Sequence, residues 1–513
     1  MKLAVLFSLI LSILHSILFY GQNKGISIFL FATVGLFLFI TILQKQEKKK
    51  NKKALILSVP ILLLSATYFI FNNSFFNVMN IIVILFLFLI MTLVAVLGEI
   101  KPQRIIENIV VLFFGPLEEI ANSAREISKC FSKKEENVEN KPKRKNILAK
   151  QIAKGILISL PILIIVLILL STADETFALI FSNTFKTIFN LINLRTIYSL
   201  LFRMLIIMAL TLYFIGIILK IVNNKLNNEE VKNKNGIKIE GITLSTLLTL
   251  LNVIYLLFAG VQGMHIIEQM QNPNITNYAS YARTGFFQLM AVSIINFVII
   301  LISKNNKKEI GAGIKKYIKL MNVILAIFTI IILITSVLRM RLYEQEYGYT
   351  FLRLMVYFIQ ITELILIVPT IIYILKEKFK ILNWYLVITI IMYTALNFVN
   401  LDYIIAKGNI DRYFASTESK REIDFSYLQK HTSTDAIPEI IRLLEAEDKN
   451  LRTSVNNYLY EKQLESESRK DTWQSFNISR NRAKKELEKL NLQYKIFENR
   501  ELNIRRNIIE NII

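Results

Sequence analysis

Cysteine is almost missing from this chain. Cys130 is the single one, which excludes an intrachain disulfide and a thiolate metal cluster. Histidine is nearly as scarce. His15, His265 and His431 are the full set, too few and too dispersed for a His-rich metal site. Catalytic signatures are missing too. There is no G-x-x-x-x-G-K-[ST] phosphate loop, no H-E-x-x-H and no G-x-S-x-G, which removes Walker-type ATPases and the commonest protease and hydrolase patterns. No metal and no organic cofactor is expected. Charge is also low. Charged residues are 19% of the chain, against about 25% in an ordinary soluble domain.

Apolar residues fill that space, at 53% of the chain, and they come in long runs. A helix needs roughly 20 such residues to cross the hydrocarbon. Leu3–Tyr20, Gly25–Leu43, Ala54–Phe71, Phe75–Leu97, Gly155–Thr172 and Ile197–Ile221 are runs of this kind. Gly241–Met264, Thr284–Ser303, Tyr317–Val337, Phe351–Leu375 and Ile381–Leu401 complete the set. The fold class that follows is all-α: a polytopic helical membrane protein with about eleven spans and a small helical C-terminal tail. Leu3–Tyr20 follows Lys2 as an export signal would, but no small-residue cleavage site follows it, so it reads as a retained span.

The formal net charge is +22, which by itself could suggest nucleic acid. The excess sits instead in short loops beside the runs, where the positive-inside bias concentrates it. Nucleic acid is therefore not an expected partner, and membrane lipids are. Every second loop is loaded: Lys45 to Lys53, Lys101 to Lys150, Lys225 to Lys238, Lys304 to Lys316, and Lys376 to Lys380. The loops between them, such as Asn72-Asn73-Ser74, are not. This alternation predicts a cytoplasmic N-terminus, cytoplasmic lysine loops and an extracytoplasmic tail.

The expected organisation has four parts. Residues 1–98 form four spans. Residues 99–152 hold an amphipathic helix over Ile105–Cys130, broken near Gly115-Pro116, and a charged linker. Residues 153–404 carry seven spans, with Phe177–Leu194 lying flat on the outer surface. Residues 405–513 form the tail, with helices over Thr434–Glu445 (Ser433 as N-cap), Leu451–Leu464 and Ser479–Phe497. A unit with so few large apolar residues must lean on the membrane domain or on an envelope protein partner.

Polar residues at membrane depth are costly and so informative. Glu363 falls near the middle of the tenth run. Arg353, Tyr357, Gln360 and Glu363 follow at helical spacing and make a polar stripe, and Arg203 lies one to two turns into the sixth run. Glu363, Gln360 and Arg203 are the intramembrane candidates. They serve either a transport path or a buried, hydrogen-bonded carboxyl. Arg283, Arg339, Arg341, Glu346, Tyr347, Arg353 and Asp402 crowd the outer ends of the later runs. An interfacial belt of aromatics with snorkelling arginines would account for many of them. A convergent polar site is the alternative, because Arg beside Tyr suits anionic or sugar groups better than Lys does.

Four stretches carry a resemblance. They are Leu160-Pro161 through Ser171-Thr172-Ala173-Asp174-Glu175-Thr176-Phe177, then Tyr281-Ala282-Arg283-Thr284-Gly285-Phe286-Phe287-Gln288-Leu289 with Asn296. Leu338-Arg339-Met340-Arg341-Leu342-Tyr343 through Leu352-Arg353-Leu354 is the third, and Asn400-Leu401-Asp402 with Ile404-Ile405-Ala406 the fourth. Over roughly residues 155–413, and more loosely before it, the chain resembles a family of bacterial polytopic membrane proteins that carry a domain of unknown function. The resemblance implies an integral membrane protein and no particular activity. The leading expectation is a non-enzymatic envelope sensor, scaffold or assembly factor with an outward-facing polar site. The alternatives are a transporter built on Glu363 and Arg203, and a transferase for a lipid-linked substrate using Asp174 and Glu175.

Overall fold

In hydrocarbon no water is available to bond the backbone, so an apolar run must satisfy its own N–H and C=O groups as a helix. A computed structural model describes residues 2–45, 52–98, 105–118, 194–222, 239–271, 286–306, 311–415 and 422–494. Every regular element among them is helical. Seven of these helices are long and apolar enough to cross a membrane, or eight if one bent pair counts as a span. Eleven spans are not reached, for separate reasons. Gly155–Thr172 lies outside the described residues, as do all of Phe177–Leu194 but its last residue and residues 119–130 of the amphipathic stretch. The first and third runs form helices shorter than a full crossing. The chain divides into two compact units, Met1–Ser58 with Leu85–Glu229, and Val59–Ile84 with Glu230–Ile513.

In the first unit, α1 (Lys2–Phe19) packs on α2 (Ile26–Lys45) and on α6 (Leu194–Val222). Val5, Ile215 and Leu219 form one contact, and Ala4, Ile42 and Ile218 another. Ser8, Ser12 and Ser16 are buried at four-residue spacing, and small side chains of this kind let membrane helices approach closely. Helix α5 (Ile105–Glu118) contains Pro116 and packs on α6 where Gly216 stands. A Cβ on Gly216 would come 2.9 Å from the Cα of Pro116, so only glycine fits. On α5, Asn108 and Leu112 are buried while Val110, Phe113 and Phe114 are exposed. The outward side is thus the apolar one, the reverse of a helix lying in water.

The second unit contains α3 (Ser58–Ile70) and the start of α4 (Ser74–Leu97), then α7 (Gly241–Gln271), α8 (Phe286–Lys304), α9 (Ala312–Tyr347), α10 (Phe351–Leu375) and α11 (Ile381–Asn397). Its core runs in layers. Leu244, Leu248, Ile300, Ile318, Leu325, Ala326 and Ile374 form one layer. Phe297, Leu333 and Ile367 form the next, then Phe286, Met340 and Val356. At 36 residues, α9 is about 54 Å long at 1.5 Å per residue, well beyond the roughly 30 Å hydrocarbon thickness.

The two ends of this unit differ in chemistry. At one end Lys304 and Lys319 donate to the carbonyls of Ile374 (3.1 Å) and Leu375 (3.0 Å), where the C-terminus of α10 attracts cations. Lys315 pairs with Glu377 there at 3.1 Å. The opposite end holds the α3–α4 and α9–α10 turns and a break after α11. The last apolar run does not continue straight to Leu401. It stops at Asn397 and turns by 57° into α12 (Leu401–Ala415).

From α12 onward the chain builds a helical tail: α13 (Phe425–His431), α14 (Ile437–Ile440), α15 (Lys449–Ser468) and α16 (Ile478–Glu488), with short 3-10 turns between them. The predicted helix over Thr434–Glu445 is broken. Pro438 has no N–H to offer, so the carbonyl of Thr434 is taken by the N–H of Ile437 in a 3-10 turn. Ser433 caps that turn, as the sequence indicates, by accepting from the N–H of Asp435. The tail core joins Ile405, Ile410, Phe425, Leu428, Ile440, Val455, Leu459 and Leu487, and Tyr349, Phe351 and Leu354 of the α9–α10 turn pack against it. The last helix ends at Glu488, short of the predicted Phe497; Ala483 and Leu487 on it are buried, and Tyr494 beyond it is exposed. The tail leans on the membrane helices.

Candidate functional site

The α9–α10 turn is where polar side chains gather. Gly348 ends α9 with φ +77°, a left-handed conformation that glycine adopts without strain. A helix end leaves carbonyls without internal donors, and two guanidinium groups fill that need. Arg353 donates to the carbonyls of Tyr347 (2.8 Å) and Gly348 (2.5 Å). Arg412, arriving from α12, donates to those of Gln345 (2.6 Å) and Glu346 (3.2 Å). Asn409 clasps the same turn, accepting from the N–H of Tyr349 and donating to its carbonyl, both at 2.8 Å. Positive charge at a helix C-terminus is favourable; Arg353 closes the turn from α10, and Arg412 binds the end of α9 to the tail.

A polar cleft of about 400 Å³ opens above this clasp. Glu346, Tyr347, Thr350 and Arg353 line it from the membrane helices, and Asn409, Arg412, Glu422, Asp424 and Tyr427 from the tail. Tyr343 stacks under Arg353, whose guanidinium carbon lies 4.4 Å from the ring centre. Burial pushes the phenol of Tyr427 upward, and burial next to Glu344 does the same to Tyr349.

A second cluster fastens the tail to the α3–α4 turn. Asp402 is buried and accepts from the side-chain amide of Asn73 (2.9 Å) and from the N–H of Ser433 (3.1 Å). Burial raises its carboxyl above the usual aspartate range, and the hydrogen bonds only partly oppose that. Asp435 accepts from the N–H of Asn72 at 2.8 Å. One turn into the bundle, Asn80 donates to Thr67 and Asn397, and Tyr393 donates back to Asn80.

The third cluster lies inside the bundle. Glu363 is buried, with Oε2 2.5 Å from the hydroxyl of Ser293. That hydroxyl is also 2.7 Å from the carbonyl of Met290. One hydroxyl hydrogen cannot serve two acceptors. Both contacts are hydrogen bonds if the carboxyl carries a proton and donates to Ser293, which donates to Met290. One turn away, the amide of Gln360 donates to Ser336 at 2.6 Å, and Ser336 to the carbonyl of Phe286 at 3.1 Å. Glu363 Oε1 and Gln360 Oε1 are buried without a hydrogen-bond partner. Asn296 links Tyr255 to Thr329, and Asn322 reaches Ser303. Among the described residues no group of three or more His, Cys, Asp or Glu could hold a metal ion.

Of the outer candidates, Glu346, Tyr347 and Arg353 share the cleft. Arg341 is an electrostatic neighbour of Tyr349. Arg339 lies apart, donating to Gln262 at 3.0 Å, and Asp402 belongs to the second cluster. Arg283 lies outside the described residues, as do Asp174 and Glu175. Of the intramembrane candidates, Gln360 and Glu363 sit together, while Arg203 is in the first unit with its guanidinium carbon 4.4 Å from the ring centre of Tyr20. The hydrogen-bond partner of Glu363 is Ser293, in the eighth run. Sequence reasoning missed Asn409 and Arg412, which only the tail fold brings back to the α9–α10 turn. It also missed the seven-residue spacing of Asn322, Thr329 and Ser336, a polar seam visible in the sequence.

Helices of this length and apolarity, with polar groups buried between them, define a multi-span all-α membrane protein. The chain belongs to the family described as Domain of unknown function (DUF4153), whose sequence profile matches residues 58–443. The match begins with α3 and ends inside the tail. No curated protein and no solved structure matches the chain.

Proposed function

We propose that the chain is a non-enzymatic sensor or scaffold of the bacterial cytoplasmic membrane, with the tail and its cleft outside the cell and the lysine end in the cytoplasm. The observation that carries this is the fastening of the tail. Residues of the α9–α10 turn pack against its core, and side-chain bonds tie it to both the α9–α10 and α3–α4 turns. A water-exposed unit held this way moves with the ends of the membrane helices, which is what passing a signal or positioning a partner requires. The lysine loops support the orientation.

The buried Glu363 favours a second reading, transport, because a carboxyl inside a membrane bundle is a common element of proton and ion paths. One complementation experiment separates the two. Glu346→Gln with Glu422→Gln changes the cleft and leaves both arginine clasps in place, whereas Glu363→Gln changes the buried carboxyl. In cells lacking the gene, the sensor or scaffold reading expects the cleft variant to fail at normal abundance and Glu363→Gln to restore function. The reverse outcome would establish transport. Orientation is read separately, by labelling a cysteine at Glu447 in a Cys130→Ser background. Labelling only after lysis would overturn the outward tail.

A further inference from the structure

The segment joining α15 to α16 is built inside out. Ser475, Asn477 and Ser479 are buried, at 2%, 3% and 7% exposure, while Trp473, Phe476 and Ile478 stand out at 59%, 44% and 46%. The buried polar groups are all bonded. Ser475 donates to the carbonyl of Thr472, and Ser479 lies 3.1 Å from the hydroxyl of Thr434. In a water-soluble unit the hydrophobic effect puts Trp, Phe and Ile inside and serine outside. A reversal over consecutive residues means that the outward side does not face bulk water.

The position of this segment says what it faces. Asn477 donates through one side-chain amide to the carbonyls of Tyr68 (2.9 Å) and Phe71 (2.7 Å), at the C-terminal end of α3. Three residues after Phe71 the membrane span α4 begins, at Ser74. Trp473, Phe476 and Ile478 therefore flank a residue hydrogen-bonded at the boundary of a membrane span. The surface next to that boundary is apolar and outward-facing: Phe75, Val78 and Ile82 lie along one side of α4. Exposed Lys470, Arg482 and Lys485 lie in the same stretch of chain, together with the exposed acids Asp471 and Glu488.

We propose that Trp473, Phe476 and Ile478 form a membrane-surface anchor that inserts into the headgroup–acyl boundary of the leaflet on the tail side. Trp is the residue best suited to that boundary, with an apolar body and one N–H donor. Three apolar side chains together follow the logic of interfacial binding, which grows with the apolar area buried. The anchor holds the tail against the bilayer at a place distant in sequence from α12, where the chain leaves the bundle. It does not depend on which side of the membrane the tail occupies.

The chain has two tryptophans, Trp384 and Trp473, so Trp384→Phe leaves Trp473 as the only indole. The full-length variant is placed in lipid nanodiscs, which expose both faces to solvent, made with phosphatidylcholine and phosphatidylglycerol brominated at a shallow or a deep acyl carbon. The anchor expects blue-shifted Trp473 emission, lost more to shallow than to deep bromine, and little loss to aqueous iodide. Quenching by iodide with no response to bromine would overturn it. So would shielding from both quenchers, which would mean a protein cover, such as a second copy or a partner. Because Trp384 packs on Phe379, the same spectra are taken as the difference between the wild type and Trp473→Phe. That keeps the test decisive if Trp384→Phe folds poorly.

Discussion

The side-chain amide of Asn73 donates to the carboxyl of Asp402 at 2.9 Å, across 329 positions of sequence. The same carboxyl accepts from the N–H of Ser433. One buried acid thus joins the α3–α4 turn, the start of α12 and the first turn of the tail. Without it two donors would lose their acceptor in a place closed to water.

Asp402→Ala should therefore loosen the tail, by about 1–3 kcal/mol for the donors left unsatisfied, read as a lower midpoint of thermal unfolding in detergent. Asp402→Asn gives the pH dependence. Burial raises the native carboxyl above its ordinary value of 3.8, so folding favours the protonated acid. The stability this group contributes is complete below that ordinary value and is lost as pH rises through the raised native value. The amide introduced by Asp402→Asn does not titrate. The wild type should gain on Asp402→Asn as pH falls from neutrality into that window. A constant difference across the range would refute the assignment.

Gly348→Ala tests the clasp around the α9–α10 turn. A Cβ there would collide with Asn409 and Arg412, and φ is +77°. Gly21 also has a positive φ, +69°, but open space around it. Left-handed backbone alone costs a non-glycine residue roughly 1–2 kcal/mol. Gly21→Ala should stay near that figure. Gly348→Ala should exceed it, because Asn409 and Arg412 must also give up bonds to the turn. Because ψ of −171° at Gly348 also lies in a region almost confined to glycine, the clasp is isolated by repeating Gly348→Ala in an Asn409→Ala background, where a smaller cost is expected and an unchanged one would mean that Asn409 moves aside freely.

The sequence disclosed the helices because their apolar runs leave the backbone no other way to bond. It disclosed the lysine end because the charge is written into the loops. Ser433 announced a helix start, but not that Pro438 would turn the following stretch into 3-10 pieces. The site was read less well. Arg353 and Tyr347 were visible as polar residues at a helix end, yet Asn409 and Arg412, which bond Tyr349, Gln345 and Glu346 of the same turn, come from 60 or more positions later and look like ordinary tail residues. Ser293 had no signal of its own, since a serine in an apolar run usually bonds back to its own helix. Ser293 also does that, through the carbonyl of Met290, and nothing local reveals that Glu363 meets it.

That meeting gives the last prediction. Ser293 lies within hydrogen-bond distance of both Glu363 and Met290, and a proton on the carboxyl satisfies both contacts. A glutamine side chain in place of Glu363 can make the same donation to Ser293 through its amide. Glu363→Gln should therefore keep the fold within about 1 kcal/mol, the net worth of one ordinary hydrogen bond. Ser293→Ala removes the acceptor of a buried acid and should cost more, about 1–3 kcal/mol. In Ser293→Ala with Glu363→Leu both polar partners are gone together, and much of that loss should be recovered, since replacing both members of a buried pair is nearly neutral when the shapes are kept. An ionised Glu363 would reverse the first result, because Gln would then remove a charge that the bundle had to solvate. Infrared difference spectra of wild type against Glu363→Gln read the proton directly: a protonated carboxyl shows a carbonyl stretch above the amide band, and its absence near neutral pH would rule the neutral acid out.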